Sequence, residues 1–346
     1  MPELFVTNFN RNYTGVSSTA AGVIRQQMSQ YDLRLVGHSL PGAPDPISRR
    51  DARRLSRDAP EGRSFAIWHV RRNPEMQTAI WARDVLRLPI RIVFTSAAQR
   101  LHSAFPRWLI SRMDAVIATT DKAAEFVPHV RAVVPHGVDT SLFVPAPDRT
   151  AAWAATGYPG QRGIATIGRI RPEKGTDVFI DAAIAALPDL PGVTALVIGK
   201  ATSKHEKFLA DQKARIAAAG LADRILFPGE LAPERMVDLL PALDLCVQLP
   251  RYEGYGMAPL EAMASGVPLL ASEAGYFRHF TQGGANGITV PVEAAPQAAE
   301  ALVTLLSDPA RLAQMAVHAR QDASRLFSID REAQGIAEVY EALWRG

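Results

Sequence analysis

Two pairs of charged residues stand at spacings that suit one shared ligand. Glu253 and Glu261 have seven residues between them in "RYEGYGMAPLEAMASGVP" (251–268), and Arg169 and Lys174 have four between them in "TIGRIRPEKGTDVFI" (166–180). Carboxylates accept hydrogen bonds from hydroxyls, so the two acids suit a ribose diol and a second hydroxylated group. The planar fork of Arg and the point charge of Lys suit a diphosphate. A ligand with a diol, phosphates and a polyhydroxylated group would use all four. The plainer alternative is that Glu261 caps its own helix and Glu253 is a solvated loop acid.

The elements that must position them follow from the pattern of apolar runs. In the first half, strands are expected near "ELFVT", "LRLVG", "FAIWHV", "IRIVFTS", "AVIATT" and "RAVVPHG"; in the second, near "GIATIG", "TALVIG", "RILFPG", "LCVQLP", "VPLLAS" and "GITVPV". Helical patterns alternate with them, which argues for two doubly wound parallel sheets in an α/β protein. Ligands bind such sheets at the carboxyl ends of the strands. "RYEGYGM" reads as the loop leaving the "LCVQLP" strand, and "APLEAMAS" as a helix with Pro259 and Glu261 in its first turn and Gly266 closing it. The N–H groups of Gly256, Met257 and Ala258 are expected to point toward the ligand. Gly15, in "NYTGVSSTAAGVI", is placed where backbone can approach a phosphate, although no G-x-G-x-x-G occurs. The boundary is expected in the Pro/Gly/Ala-rich stretch 145–162, giving domains 1–148 and 149–329 and a terminal helix, 330–346, returning toward the first.

At 346 residues and 47% hydrophobic, the chain can bury two cores. Its single cysteine, Cys246, lies within an apolar run, which fits space filling in a reducing compartment. No basic-then-apolar leader and no apolar run of about 18 residues occurs, so the expected location is cytoplasmic. Residues 1–150 hold 20 Lys+Arg against 13 Asp+Glu, whereas the remainder is net acidic. The cluster Arg49, Arg50, Arg53, Arg54 and Arg57 lacks interleaved aromatics, so nucleic acid is not expected. A solvated helix face or contact with an anionic membrane surface is. No D-x-D triplet and no His/Cys ligand spacing occurs, so neither a metal nor another cofactor is expected.

Taken together, these motifs resemble the family four retaining glycosyltransferases, which have the GT-B fold: two Rossmann-like domains facing across a cleft. "VVPHGVDTSLFVP" is similar to the segment that ends the first domain in that family. The resemblance implies that Arg169 and Lys174 hold the donor diphosphate, acting with Glu253 as the catalytic group. It further implies that Glu261 holds the nucleotide ribose, and that Glu253 with Gly254, Tyr255, Gly256 and Met257 holds the donor sugar. By the same likeness Gly15 supplies backbone near the distal phosphate, and Phe227 lies against the nucleobase. "IWHVRRNPEM" (67–76) with "IVFTSAAQRLHS" (92–103) more narrowly resembles the lipopolysaccharide core mannosyltransferases of alphaproteobacteria. That likeness implies GDP-mannose as donor and a lipid-linked saccharide as acceptor, met at the inner face of the cell membrane. Many relatives carry a His where this chain reads Ser96, Ala97, Ala98, Gln99, and neither His69, His102 nor His136 is given a firm catalytic role. His136, in place of the family's Asn, is expected to shape the hinge. A nucleotide-sugar epimerase and a non-catalytic nucleotide-sugar or anionic-glycan binding protein are the rival readings.

Overall fold

Strands apolar at consecutive positions must be covered on both faces, and in the computed structural model every expected run becomes a parallel strand under helices. The structure describes residues 1–12 and 14–346. The first sheet contains β1 (Leu4–Asn8), β2 (Leu33–Gly37), β3 (Ala66–Val70), β4 (Ile90–Ser96), β5 (Ala115–Ala118) and β6 (Val130–Val133), in the order β2-β1-β3-β4-β5-β6. The second contains β7 (Arg162–Ile167), β8 (Val193–Ile198), β9 (Ile225–Gly229), β10 (Leu245–Gln248), β11 (Leu269–Ser272) and β12 (Gly287–Val290), in the order β12-β11-β10-β7-β8-β9. The strand order reverses between β1 and β3 in one sheet and between β7 and β10 in the other. These reversals open crevices at the carboxyl ends, the preferred ligand positions of doubly wound folds.

The chain divides into two compact units, residues 1–137 with 327–346 and residues 138–326. The division therefore falls eleven residues before the expected 148/149 boundary. Composition marks the stretch after Gly137 as irregular, but packing decides which unit owns it. Arg320 donates to the carbonyls of Thr140 (3.0 Å) and Phe143 (2.7 Å), and Pro145 lies against Gly266. At the other end, the second unit stops at Leu326 rather than 329, and the last helix, Ile329–Arg345, belongs to the first unit. Ser328 caps that helix through the Arg331 N–H. Its apolar face (Ile336, Val339, Tyr340) packs on one side of the first sheet together with the helix Gly15–Gln27, and Gln27 donates to the Ala333 carbonyl at 3.0 Å.

The histidines find structural places. His69, buried in β3, bridges the Tyr340 hydroxyl and Thr95 Oγ1, and burial holds its pKa well below the ordinary value, so it is neutral. His136 Nδ1 meets Glu332 at 2.7 Å, and the same carboxylate accepts from Gly137 N–H at 2.7 Å, immediately before the division between units. His102 is half-buried, and burial lowers its pKa. Cys246 is buried in β10, where desolvation raises its thiol to about 12. Among the described residues no helix is long and apolar enough to cross a membrane.

Candidate active site

The loops leaving β7 and β10 meet at the strand-order reversal of the second unit. After β7, Gly168 has φ +152°, and Arg169 stands exposed, its guanidinium without a partner among the described residues. A 3-10 turn, Pro172–Lys174, then leads through Gly175 at φ +66° into the helix Thr176–Ala186. Gly175 is required twice: by its left-handed backbone, and because a Cβ would lie 1.7 Å from the Leu249 carbonyl oxygen. The turn after β7 is thereby set directly on the chain leaving β10.

Arg251 fastens the two. Its guanidinium grips Asp177 with two bonds (2.9 and 2.8 Å), donates to the Pro172 carbonyl at 2.5 Å and meets Glu293 at 2.6 Å, while its own N–H donates to the Glu173 carbonyl at 3.0 Å. These acceptors raise its pKa above the ordinary guanidinium value. No local pattern marks Arg251, because only the spatial approach of the two loops shows what it holds. One consequence is that Lys174 Nζ lies 2.5 Å from Glu253 Oε2. The two residues thus share one position, and Glu253 Oε1 accepts from Gly254 N–H at 3.0 Å.

The helix carrying Glu261 runs Met257–Ala264. It starts earlier than expected, so Pro259 is its third residue and Glu261 its fifth. Glu261 therefore stands in the second turn, not the first. Gly256 precedes the helix at φ +107°, where a Cβ would lie 2.4 Å from the Phe277 ring. The helix closes at Gly266, φ +70°, whose N–H reaches the Met263 carbonyl. Glu261 does not cap the helix: its carboxylate has no hydrogen-bond partner among the described residues. Part of the side chain stays open to solvent, but the surrounding protein desolvates the carboxyl and raises its pKa to about 7.

Tyr255 is buried and stacks on Tyr276, their ring centroids 5.2 Å apart, and it meets Phe280 edge to face. Its ring therefore shapes the loop, leaving backbone to face a ligand. Phe227 lies in the edge strand β9, two strands from β7; it packs on the core with Lys213 Nζ 5.3 Å above its ring. That places it apart from the four charged residues. Gly15 belongs to the other unit, as the first residue of the helix Gly15–Gln27. No cluster of three or more His, Cys, Asp or Glu able to hold a metal ion occurs among the described residues.

Comparison with known proteins shows the family and the fold. Residues 153–322 match the family model described as glycosyl transferases group 1. The chain is 41% identical to the lipopolysaccharide core biosynthesis mannosyltransferase LpsB of Rhizobium meliloti, over 99% of this chain and 98% of that protein. It is 38% identical to the corresponding LpcC of Rhizobium leguminosarum, over 99% and 96%. Among solved structures, Anabaena HepE in complex with UDP and glucose superposes with a TM-score of 0.84 at 17% identity, covering 99% of this chain and all of that one. The C-terminal domain of LpcC from Francisella tularensis gives 0.54 at 36% identity over 56% of this chain and all of that one.

The raised pKa of Glu261 has a definite sign in stability. The folded protein holds this proton up to about pH 7 while the unfolded chain releases it near 4.5, so stability declines as pH rises between those values. Glu261→Gln should therefore gain ~1 to 3 kcal/mol over wild type above pH 7, discounted for residual solvent contact, with the gain vanishing toward pH 4.5. Urea unfolding at pH 5 and pH 8 measures it; equal differences at both would contradict the assignment.

Proposed function

Since the chain belongs to the glycosyl transferases group 1 family and has the GT-B fold, we propose that it moves mannose from GDP-mannose onto a lipopolysaccharide core acceptor, retaining the anomeric configuration. The observation that carries this reading is the gathering of Arg169, Lys174, Glu253 and the unpartnered Glu261 at the β7/β10 reversal. Arg169 and Lys174 hold the diphosphate, and the Glu261 carboxylate accepts from the ribose hydroxyls. Glu253 keeps Lys174 in place before the donor arrives. An ammonium has three donors, so Lys174 can turn one to phosphate while Glu253 accepts from sugar hydroxyls.

The chemistry follows from where charge develops. As the glycosidic bond breaks, negative charge grows on the leaving diphosphate and positive charge on the sugar ring. Fixed cations beside the diphosphate bind that transition state more tightly than the ground state. The departing phosphate oxygen takes the acceptor's proton, so the protein supplies no nucleophile. The cations perform the electrostatic task that a metal ion performs elsewhere, and turnover is expected to persist in EDTA.

The acceptor is lipid-linked, and the first unit carries a surface suited to its membrane. Leu101, Phe105 and Trp108 are exposed, the last two stacked at 6.1 Å, with Arg100, Arg107 and Arg112 close in sequence. Apolar side chains among cations suit the boundary of an anionic bilayer. The cluster around Arg49 is partly engaged already: Arg49 lies over Phe9, Arg53 over Trp81, and Arg54 pairs with Asp51.

Arg169→Ala and Lys174→Ala should each lower the single-turnover rate about a hundredfold or more at saturating GDP-mannose; rates within twofold of wild type would remove them from the mechanism. A thermal-shift comparison of GDP-, UDP- and ADP-mannose identifies the base, the bound donor raising Tm by mass action. In vesicle sedimentation, Phe105→Ser with Trp108→Ser should cut partition onto anionic vesicles at least tenfold, since each ring buries apolar surface worth ~1.5 to 3 kcal/mol. Unchanged partition would assign the membrane contact elsewhere.

A further inference from the structure

The first sheet has its own reversal, between β1 and β3, and the residue leaving β3 there is Arg71. The residue is only 9% exposed, yet its guanidinium makes no hydrogen bond among the described residues, and Nη1 is fully enclosed without an acceptor. The neighbouring acids are committed elsewhere. Glu75 accepts from the Thr7 hydroxyl (2.9 Å), from the N–H groups of Phe9 (3.0 Å), Arg71 (2.8 Å) and Arg72 (3.1 Å), and from the Arg72 guanidinium (3.1 Å). Glu332 is taken by His136 and Gly137. The charge of both reaches Arg71, but neither accepts from it, and burial pushes its pKa below the ordinary guanidinium value.

Arg72 behaves oppositely. It bonds Asn8 Oδ1 (3.1 Å), Ser17 Oγ (3.0 Å) and Thr14 Oγ1 (3.3 Å), tying the exits of β1 and β3 together. One arginine of the pair builds the crevice and the other is left without an acceptor. At the two following strand ends, Ser96 Oγ and Thr119 Oγ1 are also enclosed without partners, and Thr119 N–H donates to the Ser96 carbonyl at 3.0 Å. An unpaired buried cation is costly, and buried hydroxyls are normally satisfied. Their occurrence at the reversal and at the next two strand ends of the same sheet points to a ligand group that supplies the acceptors.

We propose that Arg71 binds an oxyanion of the acceptor, a carboxylate or phosphate of an acidic saccharide, with Ser96 and Thr119 donating to the same region. The proposal rests on the reading that this protein glycosylates such a saccharide. The donor diphosphate already has Arg169 and Lys174, whereas an acidic acceptor has no cation assigned to it. The strongly basic first part of the chain has the matching sign of charge.

Two measurements on the full-length protein test this. The first follows thermal unfolding of an Arg169→Ala, Lys174→Ala protein, in which the donor's phosphate grip is removed, with added inorganic phosphate or acetate. Stabilisation by either is expected, lost in Arg71→Met and partly kept in Arg71→Lys; without anion, Arg71→Met should unfold at the same or a higher temperature. Absence of stabilisation by both anions, or its persistence in Arg71→Met, overturns the proposal.

The second compares transfer to deep-rough lipopolysaccharide with transfer to its dephosphorylated and carboxyl-reduced forms. One modification should raise the wild-type acceptor KM at least tenfold and so identify the group. Arg71→Met should show that high KM on unmodified acceptor, discriminate no further, and keep donor KM within twofold. Unaltered discrimination, or a loss confined to donor KM, overturns the proposal. If wild type transfers to no acceptor while anion stabilisation still depends on Arg71, the anion site stands and the transferase reading falls.

Discussion

The backbone of Gly175 touches the backbone of Leu249 so closely that a Cβ would lie 1.7 Å from the carbonyl oxygen, and the candidate site depends on that approach. It joins the turn leaving β7 to the chain leaving β10. Only then can Arg251 reach Pro172, Glu173 and Asp177, and only then does Lys174 meet Glu253. A side chain at 175 would strain a left-handed backbone and part the loops at once. The two charged pairs are about eighty residues apart in sequence, and this contact brings the loops that carry them together.

The first unit obeys the same rule with different means. There the strand exits are joined by Arg72 and by the enclosed Glu75 carboxylate, which stands on the helix Asn73–Ile80 and gathers donors from the exits of β1 and β3. Both units place their strand-order reversal where the chemistry gathers, as the physics of doubly wound sheets leads one to expect. Among the described residues, the second unit leaves Arg169 and Glu261 without partners at its reversal; the first keeps one buried cation, Arg71, without an acceptor.

Much of this was legible in the chain itself. The strands could be read because parallel sheets covered on both faces require unbroken apolar runs, and the Arg169/Lys174 and Glu253/Glu261 pairs because their spacing matches a strand exit followed by a helix. The ownership of residues 138–148 could not be read, since it is decided by Arg320 reaching across sequence to Thr140 and Phe143. Nor could the burial of Tyr255, the packing of Phe227 against the core, or the second-turn position of Glu261, which depends on Gly256 opening the helix one residue early. No local pattern sets Arg251 or Arg71 apart from the other arginines. Arg251 is defined by the acceptors that surround it and Arg71 by the lack of one, and both are set by contacts distant in sequence.

On the proposed reading, the Glu261 carboxyl, raised to about 7 by desolvation, ionises to accept the donor's ribose hydroxyls. Calorimetric titration of GDP-mannose near pH 6.5, in buffers of different ionisation enthalpy, reads this directly, because the sugar-linked diphosphate has no group of its own titrating there. Wild type should release a substantial fraction of one proton on binding, and Glu261→Gln none. No proton release by wild type, or the same release by the variant, would contradict it.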